Sequence, residues 1–470
     1  MGLNIITVKS SNLIQDYDLR IDNKFHYFLE KNNWSIFNSS KTEIRLKDIL
    51  IPTYVNFNFD EDLSYNGIPT GQTYIDEDGF IIDSQIVTKE EHPNRIKYKI
   101  TNENILISSL RLAKSPALLF EDLNVEKYVF SNGFYIFDVI DGKWNKKYLL
   151  YILRNNKLKT ILDNSIYRGI GISAYKEKDF LKLKIPLIDK SVQDTIVRQI
   201  VPIENTIKKL KQEVEDFNTI ISNYFKIYFS FDYNSFENLK KNKIFTKSLI
   251  DYSNNRDLRN SVKFHREAYK FVLNELKNVT TKKVKDYISE PIVLGSGISP
   301  KDYNEEGEFE YISMANIKNW YYDKTDVKTV SEEYSRNNLK SVKNNDIIIA
   351  RSGEGTIGKV AIIEEDEKAI FCDFTMRIRL KNYNPLFAYY YFRSVYFQYM
   401  IEINKKGLGN NTNIFPSQIQ EFPMPDISLD EQNKIVSEIK TELDKQNLIK
   451  DKIKLERGKI DNLIESVIKN

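Results

Sequence analysis

Apolar residues recur at alternating spacings of four and three through the middle of the chain: Ile196, Ile200, Ile203, Ile207, Leu210, Val214, Phe217, Ile221 and Tyr224. That period holds a single stripe on one face of an α-helix and predicts a coiled-coil seam. Pro202 falls inside the stripe, so a kink or a fresh helix start is expected there. A second stripe near the C-terminus runs through Ile435, Ile439, Ile449, Ile453, Ile460, Leu463 and Val467, with Glu442, Gln446 and Glu456 interrupting the same face. It predicts a looser helix. A stripe of this kind most often buries against the nearest core. Two stripes that are copies of each other are expected to pack together, and about 30 helical residues make a spacer of roughly 45 Å.

Outside the stripes the pattern changes. Short apolar runs such as ILIS (105–108) and DIIIA (346–350), bounded by Asn, Asp, Gly and Pro, predict strands. YLLYIL (148–153) and LFAYYYFRSVYFQYMI (386–401) predict buried helices. The chain thus reads as globular region, helix, globular region, helix, in the mixed α/β class.

The order is a repeat. DLRIDNKFHY at residues 18–27 returns as DLRNSVKFHR at 257–266, identical at Asp, Leu, Arg, Lys, Phe and His, at an offset of 239. The offset recurs far downstream, where IPLIDKSVQDTIVRQI (185–200) faces MPDISLDEQNKIVSEI (424–439) and Gln193, Ile196, Val197 and Ile200 meet Gln432, Ile435, Val436 and Ile439. A period of half the chain predicts a molecule built twice. Four parts are expected: a leader and globular domain at 1–187, a central helix at 188–229, a second leader and domain at 230–427, and a C-terminal helix at 428–470.

Composition narrows the chemistry. The 470 residues hold one cysteine, Cys372, and three histidines, which excludes an intrachain disulfide and a Cys/His metal cluster. The N-terminus lacks a secretion signal and no run of about eighteen apolar residues exists to span a bilayer, so a cytoplasmic chain is expected. A net charge of +3 decides nothing about partners.

Three motifs imitate catalytic ones. GEGTIGK (353–359) has the spacing of a phosphate loop, but Val360 stands where Ser or Thr should hold magnesium and a strand-like VAII follows instead of a helix. A glycine turn between strands fits better. Pro425-Asp426 with Glu438-Ile439-Lys440 loosely fits a nuclease pattern, yet Ile439 is a seam position. Asn384-Pro385-Leu386-Phe387 is similar to an amino-methyltransferase motif, but Pro at the first position of a helix explains it more simply. His26 and His265 have no catalytic partner placed by the sequence and are expected to be scaffold.

Two globular regions each followed by a repeated helix, with VKNNDIIIARSGEGTIGKVAII (342–363), FPSQIQEFPMPDISLDEQNKIVSEI (415–439) and the matching segment at 185–200, resemble the specificity (S) subunit of type I restriction-modification systems. The resemblance implies two target recognition domains, each reading half of a bipartite DNA site, separated by two long antiparallel coiled-coil helices. It implies double-stranded DNA, two methyltransferase (M) subunits and restriction/translocase (R) subunits as partners. This chain would be non-catalytic and without cofactor. S-adenosylmethionine, ATP and magnesium would belong to the partners, whose complex is an adenine DNA methyltransferase and ATP-dependent endonuclease. The first half departs from the pattern, with glycine-free SSLRLAKSPA (108–117) where the second has ARSGEGTIGK.

Loop position and donor chemistry nominate Thr70, Gln72, Tyr74, Arg111 and Lys114 in the first domain as DNA contacts, and Lys301, Asn316, Arg351, Ser352, Lys359, Lys405, Asn410, Asn411 and Asn413 in the second. A specificity subunit of a two-chain type II or orphan methyltransferase system shares every one of these features. A scaffold without DNA binding and an ATPase at GEGTIGK are the remaining alternatives.

Overall fold

The computed structural model describes residues 14–15, 18–20, 22–71, 73–111, 113–140, 142–168, 174–242, 244–253, 259, 261–336, 340–353, 355–407 and 411–469. The backbone divides into two units, Met1–Gln212 with Asp451–Asn470, and Glu213–Lys450. The class is mixed α/β, as expected. Among the described residues no helix is long and apolar enough to cross a membrane.

In the first unit, the buried ILIS run forms the strand Ile105–Ser108, flanked antiparallel by Ala117–Leu118 and Phe134–Val139, with Leu50–Pro52 completing a four-stranded sheet. A five-stranded sheet lies beside it in the chain, and there Tyr128–Ser131 runs parallel to Ser64–Ile68. In the second unit, Ile347–Ala350 is the buried strand, between Thr375–Ile378 and Val360–Ile362. Its three-stranded sheet likewise has one parallel pair, Phe309–Ile312 with Ala369–Phe371. YLLYIL lies in the helix Lys146–Arg154, and the long aromatic run forms two helices, Pro385–Arg393 and Val395–Asn404, broken at Ser394.

The seam differs from its sequence reading. The helix Lys190–Gln212 runs through Pro202 without ending, and the interruption comes later, where 213–216 are non-helical. Asp216 then caps a new helix, Phe217–Tyr228, by accepting from the Thr219 N–H at 3.0 Å. Val214, placed on the stripe by its spacing, therefore lies in the link. The C-terminal helix Leu429–Lys469 is continuous. Its polar seam residue Gln446 is buried and accepts the Glu215 N–H at 2.9 Å, so the interruption in the stripe serves the interruption in the helix opposite.

Within the first unit, Ile196 and Ile200 share a core with Ile464 and Ile468. Within the second, Ile221 and Phe225 share one with Ile435, Ile439 and Leu443. Tyr228 reaches Glu438 while Glu215 reaches Gln446, so the two helices there run in opposite directions. Ile207 and Ile453 are also buried, whereas Ile203, Leu210, Phe217, Ile449, Ile460 and Leu463 are half-buried. The seam passes to Ile464 and Ile468, which the strict spacing had skipped, because a helix of 3.6 residues per turn drifts by about 20° per heptad from a 3.5 repeat.

Both units tie their globular part to a seam helix by the same bonds. The Gln193 side chain accepts from the Asn145 N–H at 2.8 Å and donates to the Ile188 carbonyl at 2.8 Å. Gln432, 239 positions on, accepts from the Asn384 N–H at 2.8 Å and donates to the Ile427 carbonyl at 2.9 Å. Asn145 and Asn384 each cap a helix, so the Asn-Pro of the second unit is a helix start. The leaders repeat a contact as well: His26 Nε2 donates to the Arg20 carbonyl at 2.6 Å, and His265 Nε2 to the Arg259 carbonyl at 2.5 Å.

Gln432 is 2% exposed, so Gln432→Ala strands an N–H and a carbonyl away from water. We expect a loss of about 2–4 kcal/mol, read as a lowered urea midpoint. A wild-type midpoint would contradict this role. The turn between Ile347–Ala350 and Val360–Ile362 supplies a second test. Gly355 (φ +81°) has open space where a Cβ would stand, whereas one on Gly358 (φ +85°) would meet Gln398 and Ile401 at 2.9 Å. Gly355→Ala should cost about 1–2 kcal/mol from backbone strain alone, and Gly358→Ala measurably more in thermal unfolding. Equal losses would show that the turn does not pack on 398–401.

Candidate nucleic-acid interface

The nominated residues of the first unit lie on two loops after strands. Arg111 and Lys114 line a small cavity together with Gly71, beside Thr70. Thr70 packs so closely on Gly133 that a Cβ there would stand 2.2 Å from its Oγ1. The Arg111 guanidinium lies 4.2 Å from the Tyr167 ring centroid, and among the described residues its buried Nε has no hydrogen-bond partner. The Tyr74 hydroxyl accepts from Gln85 Nε2 at 2.7 Å. Gln72 lies outside the described residues.

In the second unit the structure gathers residues about 60 positions apart. Arg351 donates from Nη2 to Asn413 Oδ1 at 3.1 Å, and Ser352 pairs with Asn413 in an isolated β-bridge. Asn413 pairs in turn with Lys406, the neighbour of Lys405 that the donor chemistry alone did not nominate. Asn413 Nδ2 donates to the Asn411 carbonyl at 3.1 Å. Asn411 is exposed, and Lys405 forms an ion pair with Glu402 at 2.6 Å. Arg351, Ser352, Lys406, Asn411 and Asn413 thus form one polar cluster at the foot of the glycine turn, with Lys405 next to it in the chain. The cluster offers guanidinium, ammonium and amide donors of the kinds that contact base edges and phosphates. Asn410 lies outside the described residues.

Three nominated residues stand apart from that cluster. Asn316 is 6% exposed, and its carboxamide accepts from the Ser313 N–H at 3.0 Å and donates to the Asp323 carbonyl at 3.0 Å. It shapes its loop from within. Lys301 is exposed on the single turn Pro300–Asp302. Lys359 donates to the Lys318 carbonyl at 2.8 Å and lies 5.8 Å from the Trp320 ring centroid; burial, then the charge of Lys318, pushes its amine below the ordinary lysine range.

The motifs that imitate catalysis dissolve. The glycine turn joins two antiparallel strands, so a strand follows it in the chain where a phosphate loop is followed by a helix. Asp426 accepts from the Tyr287 hydroxyl at 2.5 Å, and Ile439 is core. Among the described residues no cluster of His, Cys, Asp or Glu could hold a metal ion.

Residues 277–457 match the family of the type I restriction modification DNA specificity domain. No curated protein matches the chain in sequence. Three solved chains are similar in outline. The HsdS subunit from Thermoanaerobacter tengcongensis is 13% identical, with 91% of this chain and 96% of that one covered and a TM-score of 0.34. The type I restriction-modification S subunit from M. genitalium is 11% identical, with 92% and 96% covered and a TM-score of 0.42. A chain from a structure on complex assembly and conformational transition of the type I R-M system is 14% identical, with 91% and 96% covered and a TM-score of 0.42. The residues that match the family contain the second unit's strand pair, glycine turn, Asn-rich loop and most of the C-terminal helix. Residues 277–457 of this chain are thus similar to the DNA specificity domain of type I restriction-modification systems.

Proposed function

We propose that each unit reads one half of a bipartite DNA target, and that the antiparallel seam helices hold the two readers at a set separation. The observation that carries this reading is the pairing of like anchors with unlike loops. The Gln–Asn bond and the His–Arg contact recur 239 positions apart. The loops between them differ: Thr70, Tyr74, Arg111 and Lys114 on one side, the Arg351–Asn413 cluster on the other. Equal scaffolds related by a pseudo-twofold would present unlike loops to two half-sites, as half-site spacing mirrors protein geometry in dimeric regulators.

Among the nominated residues, Arg351, Lys405, Asn411 and Asn413, with Lys406, are the strongest choices for contact in the second unit, and Arg111 and Lys114 in the first. Lys301 and Lys359 would contact phosphates from the edge, while Asn316 would act only by shaping its loop. The helices would dock two methyltransferase subunits, and through them restriction subunits. S-adenosylmethionine, ATP and magnesium would be used by those partners in the cytoplasm, where the DNA lies.

Exchange of residues 30–185 for the corresponding domain of another family member should change one half-site in the methylation pattern of cells carrying the complex. A change in both halves would refute modular reading. Four residues inserted into the 213–216 link should lengthen the gap between half-sites and leave both halves intact. An unchanged gap would remove the ruler.

A further inference from the structure

In the first unit a short acidic hairpin, Asp76-Glu77-Asp78-Gly79-Phe80, closes over three cations carried by helices. Arg457 donates to both Asp78 oxygens at 2.8 and 2.6 Å. Lys211 pairs with Asp76 at 2.5 Å and with Asp78. Burial alone would raise the Asp78 carboxyl, but the Arg457 and Lys211 bonds hold it below the ordinary aspartate range. Arg154 lies under the hairpin, where a Cβ on Gly79 would stand 2.3 Å from its Nη2, and has Glu204 at 3.9 Å. Asp461 adds a further acid to the same wall. Every cation here faces carboxylates of the chain itself.

The positions 239 residues away keep two of the cations and lose the acids. Lys211 corresponds to Lys450 and Arg154 to Arg393, while Glu204 corresponds to Leu443, Asp461 to Ser222 and Arg457 to Asn218. Among the described residues no acidic hairpin covers them. Instead there is an open cavity of roughly 420 Å³, walled by Asn218, Ser222, Trp320 and Arg393. Arg393 is 7% exposed; its Nε donates to Asn218 Oδ1 at 2.9 Å and its Nη1 to the Tyr389 hydroxyl at 2.8 Å. Both acceptors are neutral. Among the described residues its Nη2 has no hydrogen-bond partner and no carboxylate lies within 4.0 Å of the guanidinium. Lys450, whose ammonium lies 3.6 Å from the Phe217 ring centroid, is pushed down by burial and by Arg393, with Asp216 opposing. Asp216 is already committed to capping its helix.

A buried guanidinium without a counter-ion is costly, and an anion that reached it would recover much of that cost. We propose that this cavity receives an Asp or Glu side chain from an acidic turn of a partner protein, as the first unit receives its own Asp78. The inference rests on the 239-residue correspondence and on the Arg393 geometry, and does not depend on the DNA reading. The first unit shows what cations at these positions accept: carboxylates on a peptide turn with an aromatic residue alongside, Phe80 there and, beside Arg393, Trp320 here. Asp216 in the wall opposes a densely charged phosphate group more than a single carboxylate.

The test uses the full chain and a fluorescein-labelled peptide with the sequence of residues 74–82, followed by fluorescence anisotropy. Saturable binding is expected, weakened about tenfold or more by Arg393→Gln and by Asn and Gln in place of the peptide's acids. Ser222→Asp, which restores an acid at the position corresponding to Asp461, should raise the melting temperature and block the peptide. That variant carries the test should Arg393→Gln fail to fold. Absent or non-saturable binding, equal binding to Ser222→Asp, or displacement by inorganic phosphate or short duplex DNA with no preference for the acidic peptide would overturn the proposal.

Discussion

A buried glutamine amide joins each globular region to its seam helix, and the remainder of each unit is arranged around that junction. Gln193 and Gln432 sit on the first turn of their helices and satisfy groups that would otherwise be stranded: the N–H of a capping asparagine and a carbonyl in the chain entering the helix. A carboxamide can do this because it offers a donor and an acceptor at once on a side chain long enough to reach across. The bond ties the first turn of the seam helix to the capping asparagine of the domain. It also places the following apolar residues, Ile196 and Ile435, against the core.

Constancy at the junction permits variation elsewhere. Among the described residues the strands that carry the loops differ in number between the units, and the first has a five-stranded sheet where the second has a three-stranded one. In the second unit a bend at Gly353, Gly355 and Gly358, all with positive φ, returns the chain beside Asn413. In the first, a glycine-free loop places Arg111 on Tyr167 instead. Unlike targets are expected to need unlike loops on equivalent frames. The same logic separates the acidic hairpin of the first unit from the open cavity of the second: one scaffold position carries its own counter-ion, and its counterpart leaves a guanidinium waiting for one.

Much of the fold was legible because burial imposes a period. The strand runs, the aromatic helices and most of the seam follow from spacing alone. The break at 213–216 escaped because Leu210, Val214 and Phe217 keep the apolar spacing across it; Asp216, followed by the capped Thr219, was the local signal of a new start. Pro202 misled in the opposite sense, since the packed helix absorbs a single missing backbone bond. The loop cluster was legible only as a list of donors. That Arg351 meets Asn413, or that Asn316 turns inward, depends on tertiary approach between distant segments, which no periodicity records. Arg393 was missed because attention to loops passes over a cation on a buried helix.

The central claim is that two separately folded readers address one duplex at a set distance. Selection from a randomised duplex library, using the chain assembled with its methyltransferase partners, tests it most directly. Two short constant blocks separated by a gap of constant length and no base preference are expected, with affinity falling steeply as salt rises. A single uninterrupted block, a gap of variable length, or no enrichment at all would contradict the account.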